Sequence, residues 1–233
     1  WGSAEQLRVD RAAVYRFHAT VAERFRAGPV FLVGDAAHTM PPFNGQGMCT
    51  GMRDAENLSW KLALVADGRA DDSLLDTYDA ERRPHATGQV AHSVDAGLLI
   101  DAIAHDGDAA LEKGYGQQPF PGLAHGLIHG DHPAIGHPLP RPHGDGIPID
   151  AIEQGWTLIT ADDPAEMASL WNDLAATNLQ APADAWPGIV SPGVTVVVRP
   201  DRYVAAVTAD IDNTTGALAD LLRRAPASGP DHD

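Results

Sequence analysis

The residues whose types and spacing could do chemistry gather between Val30 and Lys61. The apolar run Val30-Phe31-Leu32-Val33 ends at Gly34-Asp35, the pattern of a buried parallel strand stopped by a turn. A strand end that delivers a carboxylate into a crevice is a ligand-site geometry. Thr39-Met40-Pro41-Pro42-Phe43-Asn44-Gly45-Gln46-Gly47 follows, where the prolines stiffen the backbone and the glycines let it approach a ligand closely. Apolar residues at Met48, Met52, Ala55, Leu58, Leu62 and Val65 then recur at helical spacing and predict a helix from Gly47 to about Ala66, closed by Asp67-Gly68. Its N-terminus points unpaired N–H groups and the positive end of its dipole back at the glycine loop. Strand, acid, rigid loop and helix start together make a pocket for an electron-rich or anionic group.

A rival chemistry is written in histidines. His125, His129 and His132, with Asp131 between them, then His137 and His143, have spacings that could chelate zinc. The stretch is rich in Gly and Pro, lacks a His-Glu-x-x-His pattern and has no cysteine nearby, so a solvated linker is the favoured reading and no metal ligand is assigned. His38 reads as a hydrogen-bonded strut under the loop rather than an acid or base. Arg53, Asp54, Glu56 and Asn57 read as structural, with Asp54 near a helix start favourable to the dipole and Arg53 available to pair with it. Glu81-Arg82-Arg83-Pro84 reads as an ion-paired helix face.

Several elements must hold these residues. Leu7 to Phe17 alternate as one face of a sheet, and Gly28-Pro29 is a turn before the apolar run. A second helix is predicted from about Ser73 to Ile103, kinked or broken at Pro84. Residues 114–148 form a linker or extended wrapping segment. Beyond it come a strand at Trp156–Thr160, a helix at about Pro164–Ala176, and a strand pair, Val194–Arg199 and Tyr203–Thr208, joined by Pro200-Asp201-Arg202. An amphipathic helix at Thr215–Arg224 precedes a polar tail. The expected division is 1–28 as one face of a sheet, 29–113 as the acid-and-glycine-loop region with its helices, 114–148 as linker, 149–225 as a small α/β domain and 226–233 as a disordered tail.

Composition narrows the partners. Among 233 residues, acids outnumber bases by 32 to 16, and the formal charge of −16 disfavours nucleic acid and anionic membranes as partners. The hydrophobic content of 44% is ordinary for a core-forming chain. A single cysteine, Cys49, excludes an internal disulfide framework and fits a cytoplasmic setting. No apolar run is long enough to span a membrane, and the start at Trp1 suggests an internal fragment whose upstream half is missing.

Gly34-Asp35-Ala36-Ala37-His38, Pro41-Pro42, Gly45-Gln46-Gly47-Met48, Arg53-Asp54-Ala55, Asn57-Leu58 and Trp60-Lys61 resemble the second FAD-binding motif of the single-component aromatic hydroxylases, the flavoprotein monooxygenases of the p-hydroxybenzoate hydroxylase fold. Val196 to Ala205 is similar to the end of the thioredoxin-like C-terminal domain of the phenol, 3-(3-hydroxyphenyl)propionate and polyketide hydroxylase branches, and Gly45-Gln46-Gly47-Met48-Cys49 resembles the 3-(3-hydroxyphenyl)propionate branch. The implied fold is α/β: the C-terminal part of an FAD-binding domain plus a thioredoxin-like domain without Cys-x-x-Cys, which excludes a dithiol role.

The resemblance implies that Gly34, Asp35, Pro42, Gly45, Gln46, Gly47 and Met48 bind FAD. Asp35 would accept a hydrogen bond from a ribityl hydroxyl, and the Gly45–Met48 N–H groups would face the flavin edge that becomes negative on reduction. Pro42, Phe43 and Asn44 would line the substrate pocket. NAD(P)H would serve as co-substrate, and O2 and a phenolic small molecule would react through a C4a-hydroperoxyflavin, with no catalytic residue in this chain itself. The Gly-x-Gly-x-x-Gly fingerprint is absent, so the missing N-terminal half would be an obligatory partner and the chain alone would be inactive. A homodimer is compatible with the resemblance. The alternatives are a non-catalytic thioredoxin-like dimerisation or folding module with an inert half-site, and a histidine-rich metal-binding protein.

Overall fold

The structure, a computed structural model, describes residues 10–107, 121–143, 147, 152, 155–163 and 169–223. The expectations for the linker's first residues, for the start of the Pro164 helix and for the polar tail fall outside the described residues in whole or in part.

The N-terminal region is built from short antiparallel pairs rather than a sheet. Strand β1 (Thr20–Val21) pairs with β4 (His38–Thr39), and β2 (Arg26–Ala27) pairs with β3 (Val30–Phe31). The expected buried parallel strand at Val30–Val33 is therefore corrected. Gly28 adopts φ +56° and reverses the chain at Gly28-Pro29, so Val30 and Phe31 run back along Arg26 and Ala27, and Val30 is 58% exposed. Residues 10–19 are exposed and without a ladder partner among the described residues, so the alternation read there is not realised as a strand over these positions. Alternation encodes two faces, but a strand also needs a neighbour for its backbone.

Helix α1 (Gly47–Ala66) matches its expected bounds. It ends in a Schellman arrangement in which Arg69 N–H donates to Leu64 O (2.8 Å) and Gly68, at φ +68°, donates to Val65 O (3.1 Å). A 3-10 turn at Asp72–Leu75 leads into helix α2 (Asp76–Asp106), which continues through Pro84 without the expected break. The buried stripe of α2 is polar for much of its length, with Glu81, Arg82, His85, Gln89 and Ser93 sealed from solvent. Leu74, Leu75, Tyr78 and Val90 are buried as apolar periodicity predicts, whereas Leu98, further along, is 49% exposed.

The C-terminal region is a four-stranded sheet, order β6-β5-β7-β8. Its strands are β5 (Thr157–Thr160), β6 (Thr177–Gln180), β7 (Thr195–Val198) and β8 (Val204–Thr208); β5 and β6 are parallel, the other pairs antiparallel. The sequence reading lacked β6, whose residues Thr-Asn-Leu-Gln are half-buried to exposed at the sheet edge and carry little apolar signal. Between β5 and β6 lies α3, described over Ser169–Asp173, and after β8 comes α4 (Ile211–Arg223). One sheet face packs Leu158, Val197 and Ala206 against Trp156, Trp171 and Leu218, in a core that also takes in Leu64 of α1. The opposite face packs Ile159, Val196 and Val198 against Trp186 and Val190.

Residues 121–143 wrap this sheet instead of hanging free. His129 N–H donates to Ala205 O, Gly136 N–H to Val204 O and Leu139 N–H to Arg202 O, each at 2.8–2.9 Å, while Val204 N–H donates to His137 O at 2.9 Å. The segment thus covers the open edge of β8.

Candidate cofactor site

The site starts at the turn after β3. Gly34 takes φ +58°, and a Cβ added at Gly51 of α1 would stand 3.1 Å from Gly34 Cα. Two glycines allow the turn and the helix to approach this closely. The 3-10 turn Gly34–Ala36 therefore sits against the second turn of α1, which sets Asp35 beside the start of that helix. Pro42–Asn44 form another 3-10 turn, closed by Gly45 N–H donating to Pro42 O at 2.9 Å with Gly45 at φ +62°. From there the chain enters α1, whose first intrahelical N–H bond comes from Thr50 to Gln46 O, so the leading amides Gly47, Met48 and Cys49 have no intrahelical acceptor.

Every residue assigned to the cofactor or substrate lies on this one continuous wall. Asp35, Pro42, Phe43, Asn44, Gly45 and Met48 are exposed, while Gly34, Gln46 and Gly47 are half-buried. Asp35 has no polar partner among the described residues, and Met48 is 76% exposed. Gln46 keeps its Oε1 shielded from solvent without a hydrogen-bond partner. Phe43 lies edge-on to Phe17, with ring centroids 5.9 Å apart, and packs over Gly97 of α2, where an added Cβ would stand 2.6 Å from the ring. The free helix-start donors, an open carboxylate and flanking apolar side chains fit the anionic edge and the hydroxylated tail of a flavin.

What holds the wall was not visible in the motif. Asp54, expected near the helix start as a dipole partner, is fully buried. It accepts from Gly34 N–H (3.2 Å), contacts His38 Nε2 (2.7 Å) and accepts from Arg82 Nε (2.8 Å). Burial pushes the Asp54 carboxyl up, but the His38 hydrogen bond and the Arg82 charge outweigh it and hold it below the usual carboxylate range. His38 is thus a strut, as its sequence context suggested.

One helical turn further, Glu81 accepts from Lys61 Nζ (2.8 Å), Asn57 Nδ2 (2.7 Å), Arg199 NH1 and NH2 (2.9 and 2.7 Å), and Leu127 N–H (2.9 Å). Asp201 accepts from Arg199 NH2 (2.6 Å) and Asn57 Nδ2 (3.0 Å). Burial would raise the Glu81 pKa, yet Arg199 and Lys61 drive it far below normal; burial and the Arg199 charge lower Lys61 to about 8 despite Glu81. Asp201, in the hairpin turn read as Pro200-Asp201-Arg202, and Arg199, read as the end of the strand before it, are therefore part of a sealed ionic centre. A usable sign was present: Thr50, Asp54, Asn57 and Lys61 fall on one face of α1 at helical spacing, a polar stripe where a core stripe should be.

The histidine-rich segment does not assemble a metal centre in the described residues, where no group of three or more candidate ligands occurs. His132 instead contacts Gly188 O through Nε2 at 3.0 Å and accepts Ala134 N–H at Nδ1 at 3.2 Å. No described helix is long and apolar enough to cross a membrane.

With this geometry in place, the relatives become informative. Residues 3–93 match the family model described as FAD binding domain. A 3-(3-hydroxy-phenyl)propionate/3-hydroxycinnamic acid hydroxylase of Mycobacterium sp. (strain JLS) is 54% identical over 109 residues, 47% of this chain and 19% of the relative. Residues 3–93 thus resemble an FAD binding domain, and the relatives that the chain matches are named as hydroxylases. Among solved structures, OxyS anhydrotetracycline hydroxylase from Streptomyces rimosus aligns with TM-score 0.65 and 29% identity over 87% of this chain and 46% of its own. Aklavinone-11 hydroxylase, solved with FAD and aklavinone, aligns with TM-score 0.65 and 25% identity over 89% of this chain and 46% of its own. The chain thus spans about a fifth of the curated hydroxylase and just under half of the solved ones.

Proposed function

We propose that this chain supplies one wall of the FAD site in an NAD(P)H-dependent monooxygenase that hydroxylates a phenolic ring. The observation that carries the reading is the open Gly34–Met48 wall, along which Asp35, Pro42, Phe43, Asn44, Gly45 and Met48 are exposed and the Asp35 carboxylate has no polar partner among the described residues. FAD bound there would accept a hydride from NAD(P)H and activate O2 for transfer to an electron-rich ring. Asp35 would hold a ribityl hydroxyl. The N–H groups at the start of α1 would stabilise negative charge on the adjoining ring edge by about 0.3–2 kcal/mol. Pro42, Phe43 and Asn44 would shape the approach of the substrate and exclude water, Phe43 being braced by Phe17 and Gly97.

The C-terminal sheet supports a thioredoxin-like assignment by its order, with a parallel β5–β6 pair beside an antiparallel hairpin. The lone Cys49 lies on α1, away from that sheet, so the sheet's contribution is structural rather than redox. The test is flavin retention. The full-length protein should purify yellow and oxidise NAD(P)H with a phenol present, whereas the 233-residue chain alone should not hold FAD tightly. Stoichiometric FAD on the isolated chain, or a full-length protein that binds no flavin, would overturn the reading.

A further inference from the structure

We propose that Arg199 and Asp201, at the tip of the C-terminal hairpin, are positioning residues for the flavin wall. The proposal rests on the reading of Gly34–Met48 as that wall. Neither residue belongs to the wall's own segment. Both are nevertheless inserted between the two helices that carry it, with Arg199 and Asp201 at 0% and 3% exposure.

The connection can be followed bond by bond. Arg199 grips Glu81 of α2 with NH1 and NH2 and grips Asp201 with Nε (3.0 Å) and NH2. Asp201 and Glu81 both take a hydrogen bond from Asn57 of α1, and Glu81 also takes one from Lys61. The centre contains two acids and two bases from three separate stretches of chain; the hairpin adds one of each, so Glu81 gains its second cation and Asn57 its second carboxylate only when the hairpin is seated. The residue after Glu81 is Arg82, which holds Asp54, and Asp54 holds the Gly34 amide. Tyr203, on the same hairpin, places its hydroxyl 3.5 Å from Arg82 NH1. The hairpin therefore fixes the spacing of α1 and α2, and that spacing fixes Gly34 and the start of α1. A guanidinium is the suited group here, because its planar fork makes a two-pronged contact with each of two carboxylates, a geometry that the single nitrogen of an ammonium does not offer.

Amide hydrogen exchange, read residue by residue on the 233-residue chain, tests this. The reporters are Gly34, Ala37 and Thr50, whose N–H groups are bonded to Asp54, Gly34 O and Gln46 O. Arg199→Met should speed their exchange by about tenfold or more while Ile159 and Val196, in the sheet centre, change by a smaller factor. Arg199→Lys, which keeps the charge without the fork, should restore part of the protection. If Arg199→Met does not fold, Asp201→Asn is read in the same way. Unchanged reporters, or equal acceleration throughout the chain, would overturn the proposal, since the second result marks a general loss of stability. No flavin enters this measurement. A protein that shows the coupling yet binds no FAD would sink the proposed function and leave the positioning role standing.

Discussion

The wall from Gly34 to Met48 and the ionic centres beneath it are opposites in composition and exposure. The wall is rich in Gly and Pro, carries one acid and stands open; the support beneath is made of Asp54, Arg82, Glu81, Lys61, Arg199 and Asp201 and is sealed. On the wall the Asp35 carboxylate stands without a polar partner among the described residues, whereas the residues beneath it each have several. Charged side chains are thus a poor guide to the surface in this protein: on α1 and α2 they mark the seam. Such a seam contributes specificity of docking more than net stability, because the desolvation of its ions offsets most of their attraction.

The comparison is most easily broken at Arg199. Arg199→Met leaves Glu81 and Asp201 buried with Lys61 as their remaining cation, and it should cost about 3–5 kcal/mol in denaturant unfolding of the chain. A loss below about 1 kcal/mol would show the centre to be solvated and weak. Asp54→Asn comes next. It keeps the shape but removes the charge facing Arg82 and His38, and about 1.5–3 kcal/mol should be lost. At Gly51→Ala, the new methyl would press on Gly34 Cα, and about 1–3 kcal/mol of destabilisation is expected together with displacement of the wall.

Acid should act on the support directly and on the wall through it. The folded-state pKa values of Asp54 and Glu81 lie below their unfolded values, so their contribution is present above about pH 4–5 and lost as pH falls through the depressed values. The sign at Lys61 runs the other way from intuition. Its folded pKa is about 8 against 10.5 for the free side chain, so the unfolded chain binds more protons in that window and Lys61's contribution to stability rises from pH 8 toward 10.5. The denaturation midpoint of wild type should rise relative to that of Lys61→Met from pH 8 toward 10.5, and a difference that falls with pH over this range would refute the assignment.

How much of this was legible in sequence follows from the same contrast. The Gly34-Asp35 turn, the rigid proline loop and both bounds of α1 were readable because turns, glycines and apolar periodicity leave local signals. The hairpin at Pro200-Asp201 was readable for the same reason. Its role was not: Arg199 meets Glu81 across 118 positions, and no local pattern encodes that distance. The expected strand at Val30–Val33 failed because an apolar run reports burial and not the direction of its neighbour, which Gly28 decides by reversing the chain. Residues 121–143 could be read as a linker or an extended wrapping segment but not as one rather than the other, because main-chain bonds to a sheet edge need no particular side chains.

The smallest effect on the fold carries the largest functional weight. Asp35 makes no contact that the fold needs, and Asp35→Ala should leave the unfolding midpoint within about 0.5 kcal/mol of wild type. FAD titration of the full-length protein carrying the same substitution is the most direct test of the wall as a flavin site. Affinity should fall by about tenfold or more, as expected for a lost hydrogen bond to a charged group. Undiminished FAD affinity in Asp35→Ala would contradict the placement of the cofactor on this wall.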